Sequence, residues 1–93
     1  VVRTTRFVTP IMKKQMNGSI INISTFATFE PEHNFPTSGV MRAGLSAFSK
    51  LYSDQHAKYN IRMNNILPGF VDSLKTKDKF IRRIPLKRVG KVK

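Results

Sequence analysis

The sequence predicts an α/β fold in which a helix joins two parallel strands. The run Ser19–Phe26 is rich in β-branched residues, and a second apolar run follows at Arg62–Leu67. Both are typical of strands. Between them, in residues 38–58, apolar residues recur at helical spacing. Two strands separated by a helix form a parallel βαβ unit, which is expected to be right-handed. The predicted element order is helix, strand, helix, strand and short helix.

The residues before the first predicted strand are typical of a helix. In Val1–Met16, apolar residues recur at three- and four-residue steps, and Pro10 is expected to kink the helix. Asn17 and Gly18 are expected to end it, because both residues tolerate a positive φ angle. The range Ala27–Thr37 contains Pro31, Asn34 and Pro36, which interrupt regular structure, and is predicted to be a loop.

The central predicted helix carries two apolar stripes. The first stripe consists of Met41, Leu45, Phe48 and Tyr52. The second consists of Val40, Ala43, Gly44, Ala47 and Leu51. A helix that is apolar over so much of its surface must be covered on more than one side. We expect the sheet to cover one side. Gly44 and Ala47 would allow a second helix to approach closely, or they pack on the sheet. Thr37 or Ser38 is expected to cap the helix.

The second predicted strand leads into a turn and then into a basic segment. Met63 and Ile66 are expected to be buried, and Pro68 and Gly69 to close the strand with a turn. That this turn merely needs glycine for its geometry is the less favoured interpretation of these two residues. Lys75–Arg83 is predicted to be a short basic helix held by apolar contacts. The residues after it are expected to be irregular.

Charge is the unusual feature of the composition. The formal net charge is +12, and residues 71–93 contain nine basic and two acidic residues. A basic surface favours nucleic acid as a partner. No nucleic-acid-binding motif accompanies the charge, so we interpret the tail as a solvated segment and keep nucleic-acid binding as the less favoured alternative. The absence of cysteine is consistent with a cytoplasmic location, and no apolar run reaches the roughly 20 residues of a membrane span.

Four segments carry motifs in a recognisable order. They are GSIINIST at Gly18–Thr25, SGVMRAGL at Ser38–Leu45, IRMNNILPGFVDS at Ile61–Ser73 and IPLKRVG at Ile84–Gly90. They resemble the patterns G-x-I-V-N-I-S-S, Y-x-x-x-K-A-A-L, I-R-V-N-x-I-x-P-G-x-V-x-T and I-P-L-x-R-x-G of the short-chain dehydrogenase/reductase family. The resemblance extends over nearly the whole chain, and the four motifs are specific only when taken together.

This resemblance implies a partial Rossmann-like fold, a doubly wound parallel sheet. We expect residues 1–93 to form a single partial domain of this kind. The family binds its dinucleotide at a glycine-rich turn, and no G-x-G-x-x-G pattern occurs in this sequence. The N-terminal dinucleotide-binding half is therefore expected to be absent.

The resemblance also implies a catalytic site whose residue types differ from the usual ones. The family's serine, tyrosine and lysine fall on Thr25, Ser38 and Arg42. Thr25 keeps a hydroxyl donor. Arg42 keeps the charge that holds the nicotinamide ribose, but it cannot relay a proton. The most serious difference is at Ser38, where the family's tyrosine is missing, because an aliphatic hydroxyl is far less acidic than a phenol. His33 is a candidate substitute, although a lone loop histidine is more often solvated.

The cofactor implied by the resemblance is NAD or NADP, bound by the complete protein rather than by this chain alone. The cofactor-binding positions are Arg42, Pro68, Gly69, Val71 and Ser73. A small carbonyl or alcohol would be the substrate of the complete protein. In the family the helix that corresponds to residues 38–58 packs against its twin, so a homo-oligomer is expected. A non-catalytic interaction module is the alternative. Two well-separated histidines without cysteine predict no metal site.

Overall fold

A computed structural model describes residues 1–93 as a two-stranded parallel sheet with three helices. The elements are α1 (Val2–Gln15), β1 (Gly18–Ile23), α2 (Pro36–His56), β2 (Ile61–Ile66) and α3 (Asp78–Ile81). The strands pair in parallel, with Gly18 opposite Ile61 and Ile23 opposite Ile66. The predicted α/β class, element order and parallel pairing are confirmed. None of the helices combines the length and the apolar composition that a membrane crossing requires.

The first strand ends three residues before its predicted end. β1 stops at Ile23, and Phe26–Thr28 forms one turn of 3₁₀-helix. Thr25 begins this turn, because its hydroxyl accepts a hydrogen bond from the Ala27 N–H over 3.5 Å. A threonine that competes for backbone groups in this way favours a turn over a strand, which is why the apolar pattern alone overestimated the strand.

The two faces of the sheet differ in their surroundings. Ile61 and Met63 of β2 are buried under the helices, at 1% and 5% exposure. Ile66 was expected to be buried, but it is 49% exposed. Its position in the strand alternates with that of Met63, so its side chain projects from the opposite face. Ile21 and Ile23 of β1 also project from that opposite face, and both are exposed. The face opposite the helices is therefore open, and three isoleucines are exposed on it.

The helix ends also differ from the sequence predictions. α1 is followed by Met16 in the left-handed conformation, with φ 53°, and no glycine has a positive φ angle. The prediction that Asn17 or Gly18 would take this conformation was wrong. α2 starts at Pro36, after Phe35 as a cap without a side-chain hydrogen bond. The prediction of Thr37 or Ser38 as the cap was therefore wrong. Proline suits the first turn of a helix, where its missing N–H costs no hydrogen bond.

A small core holds α1, α2 and the sheet together. Tyr52, Ile61 and Met63 form its buried centre, and Met12 and Phe48 pack against them. Only 10 of the 93 residues are buried. The radius of gyration is 16.3 Å, against about 12 Å for a compact domain of this length. The chain therefore leaves much of its apolar surface without cover.

Polar contacts complete this core. Asn22 donates to the Asn65 Oδ1 over 3.0 Å, and Ser49 donates to the same oxygen over 3.0 Å. The Thr9 and Tyr52 hydroxyls lie 2.7 Å apart and join α1 to α2. Both helices therefore pack on the same face of the sheet.

The outer surface of α2 is not covered. All five members of the second predicted stripe are exposed, namely Val40, Ala43, Gly44, Ala47 and Leu51. The alternative in which Gly44 and Ala47 pack on the sheet was therefore wrong. An added Cβ at Gly44 would meet no atom within 4 Å. The first stripe is buried only toward its C-terminal end, since Tyr52 is 6% and Met41 67% exposed.

Candidate active site

The candidate site lies where both strands end. Because β1 and β2 are parallel and in register, their carboxyl ends meet at one edge of the sheet. Pairing continues past the strands: the Ser24 N–H donates to the Ile66 carbonyl over 2.8 Å, and the Phe26 N–H donates to the Pro68 carbonyl over 3.4 Å. The segments that contain Thr25 and Pro68 therefore run side by side. Such an edge is where open α/β sheets bind ligands.

Thr25 has a hydroxyl with an unused proton. Its oxygen accepts from the Ala27 N–H, and its carbonyl accepts from the Thr28 hydroxyl over 2.9 Å. No acceptor in the chain takes the Thr25 hydroxyl hydrogen. The side chain is half-buried, and its backbone is fixed by the 3₁₀ turn. Thr25 can therefore donate to a ligand oxygen at the sheet edge.

Arg42 reaches the same edge from α2. Its Nη1 donates to the carbonyl of Ile23, the last residue of β1, over 3.4 Å. The two ion pairs of the chain are Lys50 with Asp54 and Arg83 with Glu32, so no carboxylate neutralises Arg42. The site consequently carries an uncompensated positive charge. Arg42 holds this charge at Ile23, two residues before Thr25 in the sequence.

Ser38 lies one helical turn before Arg42 and is half-buried. Its neighbour Gly39 is buried, and a Cβ at Gly39 would lie 3.2 Å from the Pro31 Cβ and 3.6 Å from the Ala27 carbonyl oxygen. The close approach allowed by Gly39 thus sets the start of α2 against the turn that follows Thr25. The sequence predictions missed Gly39. No hydrogen bond joins the side chains of Thr25, Ser38 and Arg42.

The segment after β2 offers free backbone groups. Val71 forms an isolated parallel bridge with Gly90, in which the bonds are made by Phe70 and Asp72. The N–H and carbonyl of Val71 itself have no backbone partner, and Ser73 is exposed. This segment therefore presents a backbone donor, a backbone acceptor and a hydroxyl beside the sheet edge.

Gly69 is not required by the conformation of its own turn. Its φ angle is not positive, and a Cβ added there would meet no atom within 4 Å. The interpretation that the turn needs glycine for its geometry was therefore wrong. The space beside Gly69 is open to a ligand.

The two histidines lie elsewhere. His33 is exposed and lines a cavity of about 480 Å³ together with Glu32 and Gly39. Gly69 lines a different and larger cavity. His56 is buried, its Nδ1 lies 2.9 Å from the Tyr52 carbonyl oxygen, and its ring stacks on that of Tyr52 with a centroid distance of 4.0 Å. His56 therefore packs α2, as its place at the far end of the helix predicts. No three His, Cys, Asp or Glu side chains are grouped to hold a metal ion.

Comparison with known proteins identifies the family. The model of the short chain dehydrogenase family matches residues 1–83. The chain belongs to this family. It is 33% identical over 98 residues to the 3-oxoacyl-[acyl-carrier-protein] reductase FabG of Thermotoga maritima, covering 98% of this chain and 40% of that protein. It is 31% identical over 90 residues to the 7alpha-hydroxysteroid dehydrogenase of Clostridium sardiniense, covering 88% of this chain and 34% of that enzyme.

Solved structures of a reductase and a dehydrogenase show the same fold. A mutant of DEH reductase A1-R′ superposes with a TM-score of 0.82 at 23% identity, over 95% of this chain and 36% of that one. NAD⁺-bound xylitol dehydrogenase superposes with a TM-score of 0.75 at 22% identity, over 86% of this chain and 40% of that one. The predicted Rossmann-like fold and family membership are confirmed. The chain spans about 40% and 34% of the length of the reductase FabG and the 7alpha-hydroxysteroid dehydrogenase, respectively.

Proposed function

We propose that this chain is part of an NAD(P)-dependent oxidoreductase that acts on a carbonyl or alcohol, and that the chain has no such activity alone. The observation that carries the proposal is the position of Arg42, which is unpaired and bonded to the end of β1 beside Thr25. The names of its relatives support the same chemistry, since they include a 3-oxoacyl reductase and a hydroxysteroid dehydrogenase. Two structural neighbours are named as NAD⁺-bound and NADH-dependent.

The residues at the sheet edge fit the nicotinamide end of such a cofactor. A carboxamide needs one donor and one acceptor, and the free N–H and carbonyl of Val71 supply both. The open space at Gly69 admits a planar ring, and Pro68 positions this segment through its bond to Phe26. The hydroxyl of Ser73 is a further donor. Arg42 would hold the ribose.

The adenosine end of the cofactor has no such counterpart, because the sequence contains no glycine-rich phosphate-binding turn. We therefore expect the isolated chain to bind NAD or NADP weakly or not at all.

The residues of this chain support only part of a carbonyl reduction. When bound, the nicotinamide supplies or accepts the hydride. Thr25 donates to the substrate oxygen and polarises the carbonyl. Ser38 stands where a proton donor is needed, but its hydroxyl is too weak an acid to provide one near neutral pH. Loss of general acid–base catalysis lowers rates by roughly 10²–10⁴-fold. Arg42 orients the ribose and cannot replace the missing acid, because it stays protonated.

A dehydrogenase assay on the protein expressed from its complete gene tests this proposal. The wild type and the double variant Ser38→Tyr/Arg42→Lys are compared in parallel for NADH and NADPH oxidation. We expect slow turnover of the wild type and turnover that is faster by roughly 10²-fold or more in the double variant. Robust wild-type turnover would show that the substituted site is active after all.

A second role is favoured by the open stripe of α2. Val40 and Leu51 are 71% and 69% exposed, and between them lie the small residues Gly44 and Ala47. Such a stripe is suited to helix–helix packing at close range. We propose that α2 pairs with a second copy of the chain, so that the chain serves assembly.

Light scattering after size-exclusion chromatography tests this proposal: Leu51→Glu should abolish a dimer, whereas Lys50→Glu should keep it. A monomeric wild type contradicts the proposal.

A further inference from the structure

A groove of about 670 Å³ opens beside the proposed carbonyl site. This volume lies within the range of roughly 300–1,000 Å³ that is usual for small-molecule sites. Phe26, which follows Thr25 directly, forms one wall, and Gly69 forms part of another. The groove is therefore continuous with the sheet edge where the substrate oxygen is proposed to bind.

A row of three aromatic rings lines this groove. The centroids of Phe26 and Phe70 are 5.3 Å apart, with an interplanar angle of 56°. The centroids of Phe70 and Phe80 are 5.0 Å apart, with an angle of 28°. These separations are typical of attractive aromatic pairs. Leu67 and Ile84 add aliphatic surface, so a ligand in the groove meets mainly hydrocarbon.

The charged side chains of the groove are exposed to solvent. They are Glu30, Arg83 and Arg88. Arg83 is paired with Glu32, which lies outside the groove. No serine, threonine, asparagine, glutamine, histidine or tyrosine lines it. A polyol that lies against the aromatic row would lose water from its hydroxyls without gaining polar partners there, which is unfavourable. An uncharged hydrocarbon ring avoids this cost.

We propose that the groove binds the body of an apolar, ring-bearing ketone or secondary alcohol, and that the aromatic row selects it over sugars and polyols. The inference rests on the proposed function for the position of the reacting oxygen. The binding of the ring rests on the groove alone and needs no cofactor.

Amide NMR titration of the full 93-residue chain, without nicotinamide, tests this proposal. The probes are 1-tetralone as the fused-ring ketone, 2-decanone as a linear ketone with the same number of carbons, and sorbitol as the polyol. We expect 1-tetralone to shift the amide resonances of Gly69, Phe70 and Gly90, sorbitol to shift none of them, and 2-decanone to bind more weakly than 1-tetralone.

Matched variants locate the site. Phe80→Ala should weaken 1-tetralone binding roughly three- to tenfold, the change expected for loss of one aromatic contact. Phe7→Ala removes an exposed ring on α1, outside the groove, and should leave the affinity unchanged. Leu86→Asp is a second test that spares the core, because Leu86 lines the groove while it is 73% exposed. It should also weaken binding.

Several results would overturn the proposal. They are equal shifts with sorbitol and 1-tetralone, tighter binding of 2-decanone, or equal losses in Phe80→Ala and Phe7→Ala. A wild-type chain without dispersed amide resonances would also overturn it, since the groove would then not form in this chain. Binding of 1-tetralone together with no hydride transfer by either the complete-gene protein or its Ser38→Tyr/Arg42→Lys variant would contradict the proposed function and leave this inference standing.

Discussion

Replacement of Gly44 by alanine tests the open surface of α2. Gly44 lies in the interior of α2, and an added Cβ would meet no atom within 4 Å. The change therefore adds no clash and removes the flexibility that glycine brings to a helix. Alanine is favoured over glycine in a helix interior by about 1 kcal/mol. For a domain of this size that gain raises the melting temperature by about 4–8 °C.

Thermal unfolding followed by circular dichroism measures this shift, at a protein concentration at which light scattering shows the chain to be monomeric. Gly39→Ala is the matched control, because Gly39 is in the same helix but its Cβ would lie 3.2 Å from the Pro31 Cβ. Crowding there should cancel the gain in helix propensity, so we expect Gly39→Ala to raise the melting temperature less than Gly44→Ala does, or to lower it. If Gly44→Ala leaves the melting temperature of the monomer unchanged or lowers it, this face of α2 is covered within the chain itself and the reasoning fails.

Three further substitutions test the turn, the core and the buried polar contacts. Gly69→Ala should raise the free energy of unfolding by about 0.4–1 kcal/mol, as measured in urea; a destabilised variant would show that the turn needs glycine. The same change should weaken NADH binding by the protein expressed from its complete gene, which an NADH titration measures. Ile61→Ala should lower the free energy of unfolding by about 2–5 kcal/mol, as measured in urea. Ile66→Ala should lower it clearly less, because Ile66 is half-exposed; equal losses would contradict the assignment of the two faces. Asn65→Ala should cost about 1–3 kcal/mol, because the buried Asn22 amide loses its acceptor at 3.0 Å, while Ser49 keeps the Leu45 carbonyl oxygen at 2.9 Å. A neutral result in the same assay would show that Asn22 and Asn65 do not interact.

The sequence predicted those parts of the fold that depend on periodicity. The spacing of Leu45, Phe48 and Tyr52 gave α2, and two apolar runs gave the parallel pair of strands. Periodicity did not indicate which face of β2 the helices cover, so Ile66 was wrongly expected to be buried. Backbone preferences also failed at Met16, because a left-handed residue at a helix end need not be the nearest glycine.

The candidate site was predicted only in part. The motifs gave Thr25, Ser38 and Arg42 as a set, since each has a fixed place in a known pattern. They gave no contacts, and the bond from Arg42 to the Ile23 carbonyl is visible only in the structure. The aromatic groove was missed because Phe26 and Phe70 are far apart in the sequence and become neighbours only through pairing beyond the strand ends.

The rate of hydride transfer tests the account most directly. The protein expressed from its complete gene and its Ser38→Tyr/Arg42→Lys variant are given the same cofactor and the same carbonyl substrate, and NAD(P)H oxidation is followed for both. The account predicts that the variant is faster by roughly 10²-fold or more, because a tyrosine beside a lysine restores the proton donor. A wild type that matches or exceeds the variant would contradict it.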